Sequence, residues 1–285
     1  MALIDLLLNL AALLLWLNWR ALRFDPLAQR TPATLVGTLK PAEPGRNQSW
    51  RFLAGVLLLL ACRALLYWYL ASPVDWTPKL DLGLVVLAFR NDQLSSELAF
   101  SLLSFLRVLL IFYFWLIALL ALQSREGQME PLRRLLRLHL GGVGRWPWPV
   151  QLAVPLTLVA GLWMALHSVL LRLGVSNPVT SLGHLAEQGL LVSAQLCLTL
   201  KYLLLPVLLV HVIGSYVYLG SNPAWELASN TGSVLLRPLQ GLPLRARRLD
   251  FTPLVGACLV MLVFHWLPLW LEIAITRHGL SLWPQ

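Results

Sequence analysis

Six long stretches of apolar residues alternate with more polar connections along the 285-residue chain. A helix that crosses the hydrocarbon layer of a bilayer needs about 20 mostly apolar residues, because the layer is about 30 Å thick and a helix rises about 1.5 Å per residue. The six stretches approach or exceed that length, at residues 2–19, 52–71, 98–122, 149–173, 190–219 and 252–274. The pattern predicts an all-α polytopic membrane protein with about six transmembrane helices.

The composition agrees with this prediction. Hydrophobic residues make up 58% of the chain, charged residues only 12%, and the mean hydropathy is +0.70. One soluble core of this length would need less apolar side chain. The net charge of +9 comes mainly from the connections between the apolar stretches, where basic residues set membrane topology, so we expect no nucleic-acid partner.

Lysine and arginine are concentrated in three of the five connections, which span residues 20–51, 123–148 and 220–251. The connection 72–97 contains more acidic than basic residues, and 174–189 contains a single charged residue, Glu187. Because basic connections are retained on the cytoplasmic side, we expect these three to face the cytoplasm and both termini to lie outside.

The order of apolar stretch, basic connection and second apolar stretch recurs three times, with starts roughly 90 to 100 residues apart. We therefore predict three two-helix hairpin repeats. They comprise a divergent N-terminal hairpin at 1–72 and two further hairpins at 98–173 and 186–275.

The third basic connection carries a spaced set of proline, aromatic and charged residues. It reads Asn222-Pro223-x-Trp225, Leu236-Arg237-Pro238, Pro243 and Asp250-Phe251-Thr252-Pro253-Leu254-Val255. This pattern resembles the signature of the YggT family, small integral membrane proteins of bacteria and plastids that are made of two-helix hairpins. A weaker resemblance extends over 98–173, in Pro131-Leu132-Arg133-Arg134 and Arg145-Trp146-Pro147-Trp148-Pro149.

The resemblance implies a non-enzymatic protein of the bacterial cytoplasmic (inner) membrane that assembles membrane complexes or organises the cell envelope. The sequence has no glycine-rich phosphate loop, nucleophile elbow or metalloprotease helix, so we expect no enzyme activity. Its histidines lack metal-ligand spacing and its cysteines form no CxxC, so we expect neither a metal nor a cofactor. The alternative function is a small ion or osmolyte transporter or channel component, because internal repeats are common in transporters.

Four arginines of the third basic connection are candidates for binding anionic lipid headgroups. Each can gain about 1 kcal/mol beside an anionic leaflet. Another membrane protein or a second copy of the chain is a further possible partner, besides the bilayer itself. The alternative is that these charges only fix the topology. The four residues are Arg237, Arg245, Arg247 and Arg248.

Three cations, Arg63, Arg107 and Lys201, lie inside apolar stretches. Charges in such positions face a bundle interior or water and deserve a functional hypothesis. Long cationic side chains can also reach outward to the membrane surface. Lys201 lies about 27 Å and Glu272 about 30 Å along their helices from the cytoplasmic side, so we expect these two to pair.

Overall fold

The computed structural model describes the chain in fourteen segments. These are residues 2–24, 46–74, 77–82, 86–90, 93–123, 140, 143, 146–176, 178–179, 181–216, 223–239, 241, 245–246 and 249–278. Eight α-helices lie in the described segments, namely α1 (Ala2–Phe24), α2 (Arg46–Val74), α3 (Leu94–Gln123), α4 (Trp148–Arg172), α5 (Leu182–Leu198), α6 (Lys201–Tyr216), α7 (Pro223–Leu236) and α8 (Thr252–His278). A 3-10 turn follows α7 at Arg237–Leu239.

Two short strand pairs complete the described structure. Strands β1 (Lys79–Asp81) and β2 (Val86–Ala88) pair between α2 and α3. Strands β3 (Arg245–Ala246) and β4 (Leu249–Asp250) pair antiparallel before α8, with Arg245 opposite Asp250. Each strand has at most three residues, so helices carry the fold.

Six spans among the described residues are long and apolar enough to cross a bilayer, which confirms the all-α polytopic prediction. They are Leu3–Ala21, Trp50–Leu70, Leu94–Leu122, Trp148–Arg172, Leu182–Ser215 and Thr252–Leu271. Leucine, tryptophan and tyrosine side chains cover much of their outer surfaces, as a lipid solvent requires. The chain is a multi-pass integral membrane protein.

The fifth span differs from the prediction of one segment at 190–219. It begins at Leu182 and consists of α5 and α6, joined through a tightened turn at Thr199. The Thr199 amide bonds to the Leu196 carbonyl over 3.2 Å, a 3-10 spacing, while the Thr199 hydroxyl donates to the same carbonyl over 2.7 Å. The indole N–H of Trp115 donates to the Thr199 hydroxyl over 3.1 Å. Side-chain hydrogen bonds thus accompany the local change of helix type.

The chain divides into two compact units, and the first consists of Met1–Leu80, Leu87–Leu110 and Leu173–Val175. Its apolar core lies between α1, α2 and the first part of α3. Ala12, Val56, Leu60 and Phe105 form the buried centre of this core. Leu15, Trp16, Leu59 and Leu109 pack around it.

The second unit consists of Asp81–Val86, Ile111–Arg172 and Ser176–Gln285. In it α4 packs against α5, and α6 packs against both α7 and α8. The three-hairpin arrangement with boundaries at 1–72, 98–173 and 186–275 stays a prediction.

The basic connection 220–251 is not a simple loop, because residues 223–236 form α7. Leu236 of α7, Leu208 of α6 and Val260 of α8 make one buried core. A 14-residue helix is about 21 Å long, too short to cross the hydrocarbon layer. Its stability comes from packing its apolar side against two spans.

Candidate functional site

Polar residues recur at helical spacing on the inward faces of the three helices of the first unit. Asp5 and Asn9 lie one turn apart on α1, as do Arg63 and Tyr67 on α2. On α3, Glu97, Ser101 and Ser104 occupy positions i, i+4 and i+7. Residues at these spacings share one helix face. We call the seven residues Asp5, Asn9, Arg63, Tyr67, Glu97, Ser101 and Ser104 the three-helix polar cluster.

Arg63 is the centre of this cluster, and its side chain is fully buried. Its Nη1 donates to Asn9 Oδ1 over 2.8 Å, and its Nη2 donates to Asp5 Oδ1 over 2.6 Å. Nη2 also lies 3.1 Å from the Ser104 hydroxyl. One guanidinium therefore connects α1, α2 and α3 through charge-assisted hydrogen bonds.

The Asp5 carboxylate has a second donor. The Tyr67 hydroxyl donates to the same Oδ1 atom over 2.6 Å, while Asn9 Nδ2 donates to Ser104 over 2.9 Å. Buried polar groups without partners are costly in an apolar medium, so this mutual pairing allows them to reside between membrane helices.

Two aromatic rings flank the guanidinium. The Arg63 Cζ atom lies 5.5 Å from the ring centroid of Tyr67 and 5.1 Å from that of Phe100. Phe89, which directly follows β2, packs edge-on against Phe100 with centroids 5.5 Å apart. A cation within about 6 Å of an aromatic face is stabilised by the ring quadrupole, and more so where water is excluded.

Glu97 is the exception in the cluster. It is completely buried, and neither of its carboxyl oxygens has a hydrogen-bond partner among the residues that the structure describes. One turn later on α3, the Ser101 hydroxyl donates to the Leu60 carbonyl of α2 over 2.9 Å. The cluster thus combines one paired and one unpaired acidic side chain with a single cation.

The other predicted intramembrane charges lie elsewhere. Arg107 is half-buried on α3 and interacts with other groups of the chain. Lys201 is half-buried at the start of α6, with its Nζ 4.8 Å from the ring centroid of Tyr202. The side chain of Glu272 lies outside the described residues, so the Lys201–Glu272 pair stays a prediction.

The residues of the YggT-like pattern mark the ends of structural elements. Pro223 is the first residue of α7, Trp225 is 40% exposed in its first turn, and Arg237 and Pro238 are exposed in the 3-10 turn after it. Pro253 is buried in the first turn of α8.

Other parts of the pattern are described only as backbone or not at all. Arg245 and Asp250 face each other as backbone in the β3–β4 pair, and their side chains are not described. Asn222, Pro243, Arg247 and Arg248 lie outside the described residues.

Six residues of the cluster were not among the candidates predicted from the sequence, namely Asp5, Asn9, Tyr67, Glu97, Ser101 and Ser104. Glu97 counts as part of the connection 72–97 when spans are drawn by apolar content alone. The available signal is the i, i+4 spacing of polar residues, which recurs on α1, α2 and α3.

No group of three or more histidine, cysteine, aspartate or glutamate side chains in the described segments is placed to hold a metal ion. Comparison of the chain with protein-family models, curated proteins and solved structures gives no match. The resemblance to the YggT family therefore rests on residues 222–255, supported by the weaker pattern in 98–173.

Proposed function

We propose that this chain is a non-enzymatic integral membrane protein of YggT type that assembles or organises complexes in the bacterial cytoplasmic membrane. The observation that supports this function is the packing of α7, which carries the first part of the YggT-like pattern, from Pro223 to Leu236. Leu236 is only 3% exposed and shares a core with Leu208 and Val260. The part of the pattern that lies on α7 therefore packs against two spans.

A close approach between helices adds to this packing. A Cβ atom on Gly232 of α7 would lie 2.6 Å from the Cβ of His211 on α6, so only glycine fits there without a shift. Thr231 is also buried, and its hydroxyl bonds to the Leu227 carbonyl over 2.7 Å. Gly232 therefore allows α7 to pack closely against α6.

The ends of α7 present residue types that favour protein contacts. Trp225 and Arg237 are 12 positions apart, about 18 Å along the chain direction if the helical rise is maintained. Both are exposed, and tryptophan and arginine are enriched at protein interfaces. An arginine after a helix also complements the negative end of the helix dipole. A rigid helix with these groups suits docking of another membrane protein or of anionic headgroups.

The first experiment removes the four candidate charges, by replacing Arg237, Arg245, Arg247 and Arg248 with glutamine. We expect weaker retention of anionic lipid or lower recovery of an acidic partner after purification in mild detergent. The matched control replaces four arginines of the second basic connection, namely Arg125, Arg133, Arg134 and Arg137. If both variants retain lipid and partner equally, the four arginines of the third basic connection act only as topology signals.

The second experiment places a photo-crosslinking residue at Trp225, with Trp270 as the control. Trp270 is 68% exposed on α8, within a span that faces lipid. A crosslink to one protein species from position 225 and none from 270 is the expected outcome. Identical patterns at both positions would contradict docking at α7.

The three-helix polar cluster favours a second candidate function, a small ion or osmolyte transporter or channel component. Charged residues between membrane helices are typical of transport pathways. The test is solute and ion flux in proteoliposomes, measured for the native chain and for Arg63→Met. Flux that depends on Arg63 would favour transport over an organising role.

A further inference from the structure

Glu97 belongs to the face of α3 that contacts α2. Ser101 and Ser104, one and two turns after Glu97, both bond to α2 groups. Glu97 is completely buried, and its two oxygens lack hydrogen-bond donors among the described residues. This acidic side chain therefore needs a different form of stabilisation from that of Asp5.

Arg63 carries a matching unpaired donor. Its two terminal nitrogens bond to Asp5, Asn9 and Ser104, but its Nε is buried and has no acceptor in the described part of the chain. The guanidinium carries five N–H donors, so it can serve a second carboxylate in addition to Asp5. An unpaired donor and an unpaired acceptor thus belong to the same buried cluster.

The charge balance decides which form of Glu97 fits this arrangement. Asp5 and Arg63 neutralise each other at 2.6 Å. An ionised Glu97 without hydrogen bonds would leave one uncompensated negative charge between apolar helices, which is strongly unfavourable. A proton on Glu97 removes that charge.

We propose that the three-helix polar cluster is an intramembrane proton-binding site, with Glu97 as the group that carries the proton and Arg63 as the group that stabilises its conjugate base. On release, the O–H bond of the Glu97 carboxyl breaks, its electron pair stays on the carboxylate, and the proton passes to water. The carboxylate then accepts a hydrogen bond from Arg63 Nε, so that Arg63 is shared between Glu97 and Asp5.

In the described segments, few charged and titratable groups belong to the elements around Glu97. Asp5 belongs to α1, while Arg63 and Tyr67 belong to α2. Between α2 and α3, strand β1 contains Lys79 and Asp81, and Arg90 follows β2; all three are exposed. Arg107 follows ten positions later on α3, about 15 Å along the helix. The proposed proton-binding site is a separate property of the chain and does not depend on the proposed organising function.

Infrared spectroscopy of the chain in lipid tests whether Glu97 is protonated. A protonated carboxyl has a carbonyl stretching band that a carboxylate lacks. We expect such a band at neutral pH in the native chain and its loss in Glu97→Gln. The control Glu187→Gln removes an exposed carboxyl on α5 and should leave the band unchanged. An unchanged band in Glu97→Gln would overturn the proposal.

If Glu97→Gln does not insert into membranes, the native protein still allows the test. Labelling the glutamate carboxyl carbons with ¹³C shifts a glutamic acid band and leaves an aspartic acid band in place. The variant Glu272→Gln serves as the background, because Glu272 lies on α8 directly after the span that ends at Leu271. A band that does not shift belongs to aspartate and contradicts the assignment to Glu97.

A further variant tests the sharing of Arg63. Asp5→Asn removes the competing carboxylate and leaves the full guanidinium for Glu97. We expect Glu97 to bind its proton at least about tenfold more weakly in this variant, so that the carbonyl band disappears at a pH about one unit lower. A matched comparison is Tyr67→Phe, which keeps the Asp5 charge and should shift the titration less. Equal titration of Asp5→Asn and the native chain would contradict a role for Arg63.

Discussion

Arg63 and Asp5 lie 58 positions apart in the chain, yet their Nη2 and Oδ1 atoms approach to 2.6 Å. The Arg63 side chain is fully buried and that of Asp5 is 23% exposed. This ion pair bridges α1 and α2, and Ser104 extends it to α3. The first unit is thus held together by a polar centre as well as by its apolar core.

A double-mutant cycle measures the strength of this pair. Arg63→Met should lower the free energy of unfolding by about 3 kcal/mol, because it leaves the Asp5 carboxylate without its cation. We choose the lower end of the usual range, since Asp5 is partly exposed. The double variant with Asp5→Asn should lose less than the sum of the two single variants. Thermal unfolding in detergent provides the measurement.

The control for this cycle is the pair of half-buried His184 and exposed Glu187, whose Nδ1 and Oε2 atoms are 3.8 Å apart. Glu187→Gln should leave unfolding almost unchanged, because exposed pairs contribute little. Strictly additive losses at Arg63 and Asp5 would show that their contact adds no stability.

Gly189 of α5 sets the distance between α4 and α5. A Cβ atom at this position would lie 3.0 Å from the backbone oxygen of Ala160 and 3.3 Å from its Cα. Small residues permit this kind of close helix contact in membranes. Gly189→Leu should therefore push the helices apart and cost about 1–3 kcal/mol by overpacking.

Gly161, on α4, offers a matched control because a Cβ atom there would meet nothing within 4 Å. Gly161→Leu should leave thermal stability in detergent nearly unchanged. Equal losses for the two leucine variants would mean that Gly189 does not determine the spacing of these helices.

Membrane topology can be tested with single cysteines in a chain whose Cys62, Cys197 and Cys258 are replaced by alanine. Gly241→Cys lies in a predicted cytoplasmic connection and should resist an impermeant thiol reagent in intact cells. Ser176→Cys lies in the predicted outer connection 174–189 and should react. Gly241 is exposed and has room for a side chain, and Ser176 precedes the fifth span. Reversed labelling would reverse the predicted orientation.

The pairing of Lys201 with Glu272 can be tested by the same kind of cycle as Arg63 and Asp5. Leu208 of α6 and Val260 of α8 share one core. Lys201 lies about 10 Å from Leu208 along α6, and Glu272 lies about 18 Å from Val260 along α8. The two side chains would have to be extended to pair across this difference in depth. Lys201→Met and Glu272→Gln should each destabilise the chain. The double variant should lose less stability than the sum of the two single losses. Arg107→Met serves as the control at another intramembrane cation. Additive losses would favour Lys201 reaching outward to the membrane surface.

The sequence was sufficient for the coarse fold, because apolar length alone identifies a span. The start of α4 at Trp148 and that of α8 at Thr252 lie within one residue of the predicted limits. The interruption at Thr199 was not predicted, since its hydrogen bond comes from Trp115, a distant residue. Local hydropathy does not predict tertiary contacts of this kind.

The candidate site was predictable in part. Arg63 stood out because a cation inside an apolar stretch is unusual. Its partners did not, since Asp5 lies near the beginning of its helix and Glu97 near the beginning of α3, where apolar content merges with the connections. Helical spacing indicates which face such residues occupy, but their pairing depends on how α1, α2 and α3 pack.

The order of synthesis gives the Arg63–Asp5 contact a consequence for biogenesis. Asp5 is made first and enters the membrane before its guanidinium partner exists, whereas Arg63 arrives with a carboxylate already in place. Either charge alone makes insertion of its own helix less favourable by up to about 3 kcal/mol. We expect α2 to insert more efficiently when α1 precedes it, and glycosylation mapping of α2 with and without α1 measures this difference. The carboxylate of the first helix would then assist the insertion of the second.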